Sequence, residues 1–275
     1  MEKLIIKVMA KEHKIKQMVK QKYGEIASLK KETSCCPSES CCSPDSQNSM
    51  SEDYSTLEGY VADADLNLGC GLPVQFAKIK KGDTVLDLGS GAGNDCFVAR
   101  AEVGESGNVI GIDFTPAMVS KARENAEKRG FNNVEFREGD IDNMPVESMS
   151  IDVVISNCVL NLLPSKEKIF HEIHRVLKSG GHFCISDVVL EKELPQSLKE
   201  VAELYTGCIS GANTREQYLS EISNAGFQQI EIVKTKEITL PDEFLSKYFE
   251  NNSINKNEKT NKPGIFSITV TGQKV

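Results

Sequence analysis

The first stretch of the chain has the periodicity of one long amphipathic helix. Between residues 3 and 30, apolar side chains recur every three or four positions, with lysines between them and no proline to interrupt the pattern. Residues 33–53 are small and polar and contain two prolines, which predicts a loop or linker. Residues 1–53 are therefore expected to form an N-terminal helix followed by a cysteine-rich linker.

From residue 83 onward, short apolar runs alternate with helical patterns. Strands are predicted at 84–88, 108–112, 134–137, 151–156 and 182–189, and helices at 97–103, 115–129 and 165–177. The helix at 115–129 has the clearest ends, with Thr115 as N-cap, Pro116 at the first position and Gly130 as the stop. The run at 151–156 is typical of a strand buried on both faces. Residues 54–190 are therefore expected to form an α/β domain with a mostly parallel, Rossmann-like sheet.

Beyond residue 190 the alternation weakens. The pattern predicts helices at 198–205 and 214–225, strands at 230–234 and 265–271, and a polar loop at 249–262. The two strands are most simply an antiparallel pair that closes the sheet. Residues 191–275 are therefore expected to form a small C-terminal α+β appendage.

The composition narrows the class of protein. With 39% hydrophobic and 26% charged residues, a chain of 275 residues can bury a substantial core. No apolar run approaches the ~20 residues of a membrane-spanning helix, and the N-terminus lacks the roughly 7–15 apolar residues of a signal peptide. A net charge of −8 argues against nucleic acid as the main partner. We therefore expect a cytoplasmic protein with neither a membrane nor nucleic acid as its partner.

The nine cysteines are unusual for such a protein. An odd number in a chain expected in the cytoplasm fits a disulfide scaffold poorly and favours metal-binding, redox or catalytic use. Four of them form two adjacent pairs in the linker, Cys35–Cys36 and Cys41–Cys42. Cys96 and Cys184 fall inside a predicted helix and a predicted strand, where a free cysteine usually packs as a small hydrophobic residue.

A glycine-rich loop follows the first strand of the α/β domain. Residues 85–93 read V-L-D-L-G-S-G-A-G, a buried strand that runs into closely spaced glycines and then a helix. Asp113 lies 20 residues beyond Gly93 at the end of the next strand, where an acid can bind both hydroxyls of a ribose. Asp140 ends the third strand, where a polar side chain can meet an adenine amino group.

The loop reads D-L-G-S-G-A-G rather than the dinucleotide-binding G-x-G-x-x-G, and no lysine that could grip a phosphate follows it. The combination resembles the class I S-adenosylmethionine-dependent methyltransferases, whose cofactor has a cationic sulfonium that suits an acidic domain. A dinucleotide-dependent enzyme and a Rossmann domain that binds no ligand are the alternatives. The resemblance implies that the cofactor-binding residues are Asp87, Gly89, Ser90, Gly91, Asp113, Phe114, Asp140, Ile141 and Asn157.

Three further cysteines are far apart in the sequence. Cys158 follows the strand at 151–156, and open α/β sheets bind ligands at the carboxyl ends of their strands. The fold can bring Cys70 and Cys208 over it, and the glycines beside each allow the backbone to present a thiol without crowding. Three thiolates form a soft, trigonal site. Taken singly, each cysteine also fits a packed core residue, so spacing alone leaves the grouping open.

The cysteine segments and the cofactor motifs together carry a closer resemblance. The chain resembles the arsenite S-adenosylmethionine methyltransferases, in order and spacing, in N-L-G-C-G at 67–71, D-L-G-S-G-A-G-N-D-C-F at 87–97, G-I-D-F-T-P at 111–116, S-N-C-V-L-N-L at 156–162, I-S-D-V at 185–188 and Y-T-G-C-I-S-G-A at 205–212. The similarity covers roughly residues 54–230. The chain departs from the family at Leu72, where asparagine is usual, at Phe114, where methionine is common, and in its second cysteine pair.

The resemblance implies an arsenite methyltransferase that serves arsenic detoxification. Cys70, Cys158 and Cys208 would hold As(III) as thiolates, and residues 191–275 would close over the metalloid. A cysteine of the Cys35–Cys36 pair would take part in arsenic delivery or disulfide exchange. Methylation oxidises As(III) to As(V), so a thiol reductant such as thioredoxin or glutathione is implied as a partner.

Three other functions stay open at this point. The first is a class I methyltransferase that acts on an organic small molecule, in which the cysteines are structural. The second is a protein that binds a metalloid without catalysis. The third is a redox or zinc module that depends on residues 35–42 alone, although adjacent cysteine pairs fit the usual zinc spacing poorly.

Overall fold

The computed structural model of the chain describes residues 2–28, 50–194, 208–239 and 264–275, with side chains from residue 13 onward. Both cysteine pairs of the linker, the helix predicted at 198–205 and the loop predicted at 249–262 lie outside the described residues. Within the described residues, no helix is both long enough and apolar enough to cross a membrane.

A single mixed sheet forms the centre of the described structure. Its strands are Thr84–Leu88 (β1), Asn108–Asp113 (β2), Val134–Glu138 (β3), Ile151–Asn157 (β4), Leu177–Leu190 (β5), Gln228–Glu237 (β6) and Ile265–Gln273 (β7). The order across the sheet is β3-β2-β1-β4-β5-β7-β6. β1 to β5 are parallel, and β7 is antiparallel to both β5 and β6. The predicted α/β fold and the predicted antiparallel closing pair are both confirmed.

Five α-helices accompany this sheet in the described ranges, together with short 3-10 helices at Pro73–Phe76 and Leu160–Leu162. The α-helices are Glu2–Ser28 (α1), Asn94–Val103 (α2), Pro116–Lys128 (α3), Lys166–Val176 (α4) and Arg215–Asn224 (α5). α3 agrees with its predicted ends, because Thr115 occupies the N-cap position and Gly130 has a φ of +65° just after the helix. α2 begins three residues before its predicted start, directly after the glycine-rich loop.

The boundary between α4 and β5 differs from the prediction. The helix was expected to continue through Leu177 and to stop at the glycines 180 and 181, but it ends at Val176 and β5 begins at once. The cause is a tertiary contact. Leu177 pairs with Ile151 of β4, so the chain becomes a strand at Leu177, before the glycines at 180 and 181. A ladder contact between strands has overridden the local helix signal.

The apolar core lies on both faces of the sheet. One layer contains Val154 of β4 and packs under α4 and α5, and the other contains Val153 and Ile155 and packs under α2 and α3. This double burial explains the continuous apolar run in β4. Each of these fully buried side chains stabilises the fold by about 1.5–3 kcal/mol relative to an exposed position.

α1 packs on the side of the domain where the parallel strands end. Val19 is buried in a third apolar cluster, which also contains Cys70, Cys158 and Cys208. Lys16 forms ion pairs with Asp140 at 3.2 Å and Asp142 at 2.8 Å, just beyond β3. The helix therefore covers the edge of the sheet at which an open α/β fold binds its ligand.

Candidate functional site

A pocket opens at the carboxyl ends of β1, β2 and β4. We call it the strand-end pocket, and its walls come from the glycine-rich loop, the ends of β2 and β3, the segment after β4 and α1. The sequence-predicted residues on its walls are Gly89, Ser90, Gly91, Asp113, Phe114, Asp140, Ile141, Asn157 and Cys158. Cofactor motifs that are separate in the sequence thus converge on one cavity.

The glycine-rich loop is held tightly between two neighbouring segments. The N–H groups of Gly89 and Ser90 both donate to the carbonyl oxygen of Ile112 in β2, at 2.8 and 2.9 Å. Gly89 has a φ of +70°, and a Cβ at this position would lie 2.5 Å from the Val159 side chain. Only glycine meets both conditions, so the loop can run directly along the floor of the strand-end pocket.

Asp113 is fixed at the end of β2 by backbone donors. Its Oδ1 accepts the N–H of Thr115 at 2.8 Å, and its Oδ2 accepts the N–H of Gly91 at 3.0 Å. Burial raises the pKa of Asp113, while these two hydrogen bonds oppose the shift. Each carboxylate oxygen can accept a further hydrogen bond, which suits a ligand with two adjacent hydroxyls.

Asp87 lies beneath the loop and is absent from the pocket walls described here. Its Oδ2 accepts a hydrogen bond from the Cys96 thiol at 3.2 Å. Burial, followed by the nearby Asp95 carboxylate, raises the pKa of Asp87 well above its usual range. Cys96 is therefore more than a packing residue, whereas Cys184 is buried in the apolar layer beside α2 as expected.

A second carboxylate enters the strand-end pocket from the first turn of α2. Asp95 accepts the Tyr54 hydroxyl at 2.8 Å and the Asn157 amide at 3.3 Å. Burial raises the pKa of Asp95 to about 6, against the effect of these two hydrogen bonds. Sequence reasoning missed both Asp95 and Tyr54, although the position of Asp95 directly after the glycines was an available signal.

Asn157 links the strand-end pocket to the segment that carries Cys70. Its Nδ2 donates to the Gly71 carbonyl at 2.8 Å and to the Tyr54 hydroxyl at 2.6 Å, and its Oδ1 accepts the Cys70 N–H at 3.0 Å. Gly69 passes so close that a Cβ there would lie 2.6 Å from the Asn157 amide. One side chain therefore holds the Cys70 segment against the end of β4.

Cys70, Cys158 and Cys208 meet beside this pocket, and we call them the thiol cluster. The sulfurs of Cys70 and Cys158 lie within 4.8 Å of each other, and the Cys208 thiol donates to the Cys158 carbonyl at 2.8 Å. All three residues are buried and free of disulfides. The fold thus brings together three cysteines that are separated by 88 and 50 positions in the sequence.

Two members of the cluster have an uncommon backbone conformation. Cys158 has a φ of +60° and Cys208 a φ of +63°, in the left-handed region that side chains other than glycine rarely adopt. Such conformations cost about 1–3 kcal/mol each and concentrate at functional sites. Both left-handed positions thus fall within the thiol cluster.

The surroundings of Cys70 and Cys158 raise the pKa of both thiols and so favour their protonated form. Contacts with Cys208 and Cys70, together with burial, raise the pKa of Cys158 well above its usual range. Burial also raises the pKa of Cys70. A thiophilic ligand that binds here must therefore release protons as the thiolates form.

Two further side chains beside the cluster were missed by sequence reasoning. Tyr23 of α1 lines the strand-end pocket together with Cys158, and burial raises its pKa well above the usual range. Asp187 of β5 has a carboxylate oxygen within 4.8 Å of the Cys70 and Cys158 sulfurs. Tyr23 carried no local signal, whereas Asp187 lies in the I-S-D-V motif at 185–188 and was quoted there without a role.

The strand-end pocket fits a polar, cationic ligand. Three of its residues, Ser90, Asn94 and Thr115, have a buried side-chain oxygen with no hydrogen-bond partner among the described residues. Such atoms normally find a partner. Four aspartates line the walls as well, namely Asp65, Asp95, Asp113 and Asp140. Unpaired hydrogen-bonding oxygens and negative charge together suit S-adenosylmethionine, with its hydroxyls, its amino group and its sulfonium.

Comparison with known proteins agrees with this geometry. The profile of a methyltransferase domain family matches residues 79–243. An arsenite methyltransferase of Halobacterium salinarum is 44% identical over 84% of this chain and 61% of its own length. The arsenite methyltransferase of Homo sapiens is 36% identical over 65% of this chain and 50% of its own length. The chain therefore spans between half and about three-fifths of these curated relatives.

A solved structure extends the comparison to the fold. The crystal structure of an arsenic(III) S-adenosylmethionine methyltransferase from Chlamydomonas reinhardtii superposes with a TM-score of 0.65 at 31% identity. The match covers 85% of this chain and 75% of that one. The chain thus belongs to the methyltransferase domain family and, within it, to the arsenite S-adenosylmethionine methyltransferases of class I fold.

Proposed function

We propose that the protein methylates arsenite, with S-adenosylmethionine as methyl donor and the thiol cluster as the arsenic site. The observation that carries the proposal is that Cys158 belongs to both sites: it lines the strand-end pocket and contacts Cys70 and Cys208. A methyl donor in the pocket and a metalloid on the thiols would therefore meet at this residue. The similarity to proteins named arsenite methyltransferase supports the same function.

Different walls of the strand-end pocket would recognise different parts of S-adenosylmethionine. Asp113 would accept the ribose hydroxyls, and Asp140 with Ile141 would bound the adenine. Asp95 lies at the opposite wall, near Asn157, and would accept the amino group of the methionine moiety. The donor supplies an electrophilic methyl group on a sulfonium, and the acidic walls would hold that cation in place.

The thiol cluster would bind arsenic by ligand exchange. Each of Cys70, Cys158 and Cys208 forms one As–S bond, and each thiol proton leaves with a displaced hydroxide or thiolate, so that charge and atoms balance. Three soft sulfur ligands suit As(III), which keeps a lone pair in such a pyramidal complex. The Cys70 and Cys158 sulfurs already lie within 4.8 Å of each other, so arsenic binding mainly requires the Cys208 thiol to turn away from the Cys158 carbonyl.

The cluster would direct the arsenic lone pair toward the methyl carbon, in line with the departing sulfur. Proximity and orientation then supply most of the acceleration. The nucleophile carries no proton, so the reaction needs no general base, which agrees with the lack of histidine among the described pocket walls. The product contains As(V), and two electrons from a thiol reductant, thioredoxin or glutathione, would return it to As(III). In this proposal, Cys35 and Cys36 pass arsenic to the thiol cluster or supply these electrons. The reaction would serve the detoxification of arsenic in the cytoplasm.

The direct experiment is incubation of the purified full chain with arsenite, S-adenosylmethionine and a thiol, followed by arsenic speciation. We expect methylated arsenicals. Cys158→Ser should abolish them, whereas Cys184→Ser, a buried cysteine of the core layer, serves as the matched control and should retain them. If protein that binds S-adenosylmethionine yields no methylated arsenic, the proposal is wrong.

A further inference from the structure

The thiol cluster has a carboxylate neighbour that three-coordinate arsenic does not require. One oxygen of Asp187 and the sulfurs of Cys70 and Cys158 all lie within 4.8 Å of one another. Bonds of about 2.3 Å to sulfur and about 2.0 Å to oxygen place the ligand atoms of a tetrahedral metal roughly 3.5 Å apart. Small side-chain rotations would therefore bring these three atoms onto a single cation.

We propose that these three ligand atoms, with an open fourth position, are also a site for a thiophilic divalent cation, Zn²⁺ or Cd²⁺. Occupation by such a cation would exclude As(III), because both need the same sulfur atoms. The Asp187 carboxylate distinguishes the divalent cation from As(III), because only the cation needs it as a ligand. A d¹⁰ divalent cation takes four ligands in a tetrahedron, whereas As(III) is satisfied by three sulfurs and a lone pair.

Asp187 is held in the way that metal-ligating carboxylates are held. Its Oδ1 accepts the Asn161 amide at 2.8 Å and the Val188 N–H at 2.9 Å, and its Oδ2 accepts the Tyr218 hydroxyl at 3.3 Å. Hydrogen bonds of this kind orient a metal ligand. Each oxygen retains lone-pair capacity for a metal.

The charges at the site also match a divalent cation. Two thiolates and one carboxylate bring −3, and the cation brings +2. The buried ammonium of Lys166 brings +1 and acts electrostatically on both Asp187 and Cys208. The charges of the three ligands, the cation and Lys166 therefore sum to zero, which favours occupation of a buried site. The Lys166 ammonium is itself fixed by the Gly211 carbonyl at 2.7 Å, on the same loop as Cys208.

The proposal is tested by cadmium titration of the full chain, with absorption of the cadmium–thiolate bond as the signal. The four linker cysteines are first replaced (Cys35→Ser, Cys36→Ser, Cys41→Ser and Cys42→Ser), so that only buried thiols respond. We expect one cadmium per chain. Asp187→Asn should weaken cadmium binding by about 10–100-fold while arsenite affinity changes by less than about threefold. Cys184→Ser is the control and should bind cadmium normally.

Equal cadmium affinity in Asp187→Asn, or an equal loss of cadmium and arsenite affinity, would overturn the proposal. S-adenosylmethionine binding reports whether Asp187→Asn is folded. If that variant does not fold, cadmium nuclear magnetic resonance of the protein with Asp187 intact decides the question, since a mixed sulfur and oxygen ligand set supports the site and an all-sulfur set overturns it.

Inhibition connects this cation site to the proposed function and rests on it. Zn²⁺ and Cd²⁺ should inhibit methylation competitively with arsenite and should leave the affinity for S-adenosylmethionine unchanged. The two proposals fail separately. Cadmium that binds through Asp187 in a protein that cannot methylate arsenic would leave the cation site standing and remove the methyltransferase assignment.

Discussion

The strand-end pocket and the thiol cluster meet at Cys158 but are built by different means. The pocket is built from segments at the ends of successive strands. The glycine-rich loop follows β1, Asp113 is the last residue of β2, and Asp140 lies just after β3. The thiol cluster takes one residue from each of three distant segments and gives two of them a left-handed backbone. A short motif can therefore specify the first site, whereas only the complete fold specifies the second.

The largest expected effect separates the two regions by removing one thiol. Cys208→Ser should lower the rate of arsenite methylation at least about 100-fold, because displacing reacting groups by about 1 Å already costs this much. The affinity for S-adenosylmethionine should change by less than about twofold, as measured by calorimetry. A variant that loses both functions together would contradict the separation. Cys184→Ser is again the matched control.

The reciprocal change acts on the strand-end pocket. Asp113→Asn replaces an acceptor of two backbone N–H groups by an amide that must turn a donor toward one of them. Hydrogen bonds to a charged group contribute about 1.5–3 kcal/mol each, so S-adenosylmethionine affinity should fall about 100-fold. Arsenite affinity should stay within about twofold. The control is Asp152→Asn, an aspartate that pairs with Lys178 at the opposite ends of the strands.

The two regions should also differ in their response to pH. The pKa of Asp95 is about 6 in the folded protein, against 3.8 for the unperturbed side chain. The folded state therefore holds this proton more tightly, so the stability from Asp95 is present below pH 3.8 and is lost as the pH rises through 6. The raised pKa values of Cys70 and Cys158 keep these two thiols from titrating over this range.

Denaturant unfolding measures this difference. The unfolding free energy of the unmodified chain, relative to Asp95→Asn, should fall by an amount on the order of 2 kcal/mol between about pH 4 and about pH 7. A difference that is independent of pH would show that Asp95 does not titrate in this window. Asp152→Asn again provides a control at an aspartate remote from the pocket.

The smallest effect tests the link between the regions. Asn157→Ala removes hydrogen bonds to Cys70, to Gly71 and to the Tyr54–Asp95 pair. Each is worth about 1 kcal/mol, so both S-adenosylmethionine and arsenite should bind about 5–10-fold more weakly. Asn133→Ala removes two hydrogen bonds to the carbonyls of Gly104 and Gly107, away from both sites, and should change neither affinity. An effect of Asn157→Ala on one ligand alone would contradict the link.

The sequence predicted most of the fold and the part of the site that follows chain order. The glycine-rich loop, the strand ends at Asp113 and Asp140, and the closing pair β6–β7 all had local signals. The end of α4 was misplaced because Leu177 is recruited by Ile151, a partner 26 positions away. Local propensity carries no information about such a pairing.

The missed residues share the same physical cause. Tyr54 and Tyr23 reach the site from a loop and from α1, and their neighbours in the sequence give no hint of this. Asp187 reaches it from β5 and lies in the quoted I-S-D-V motif, which did not reveal its role. Asp87 shows the converse, since a residue inside the most informative motif lies beneath the pocket and holds the Cys96 thiol. Motifs therefore located the site, while its supporting contacts required the packed structure.

The left-handed backbone at Cys158 and Cys208 sets stability against function at these two positions. Glycine adopts such a conformation at no steric cost, so Cys158→Gly or Cys208→Gly would relieve the backbone while deleting a thiol. Mutations chosen for thermal stability alone commonly lower activity at strained sites of this kind. Stabilised forms of this protein should therefore keep both cysteines fixed, because selection for folding by itself would favour their loss.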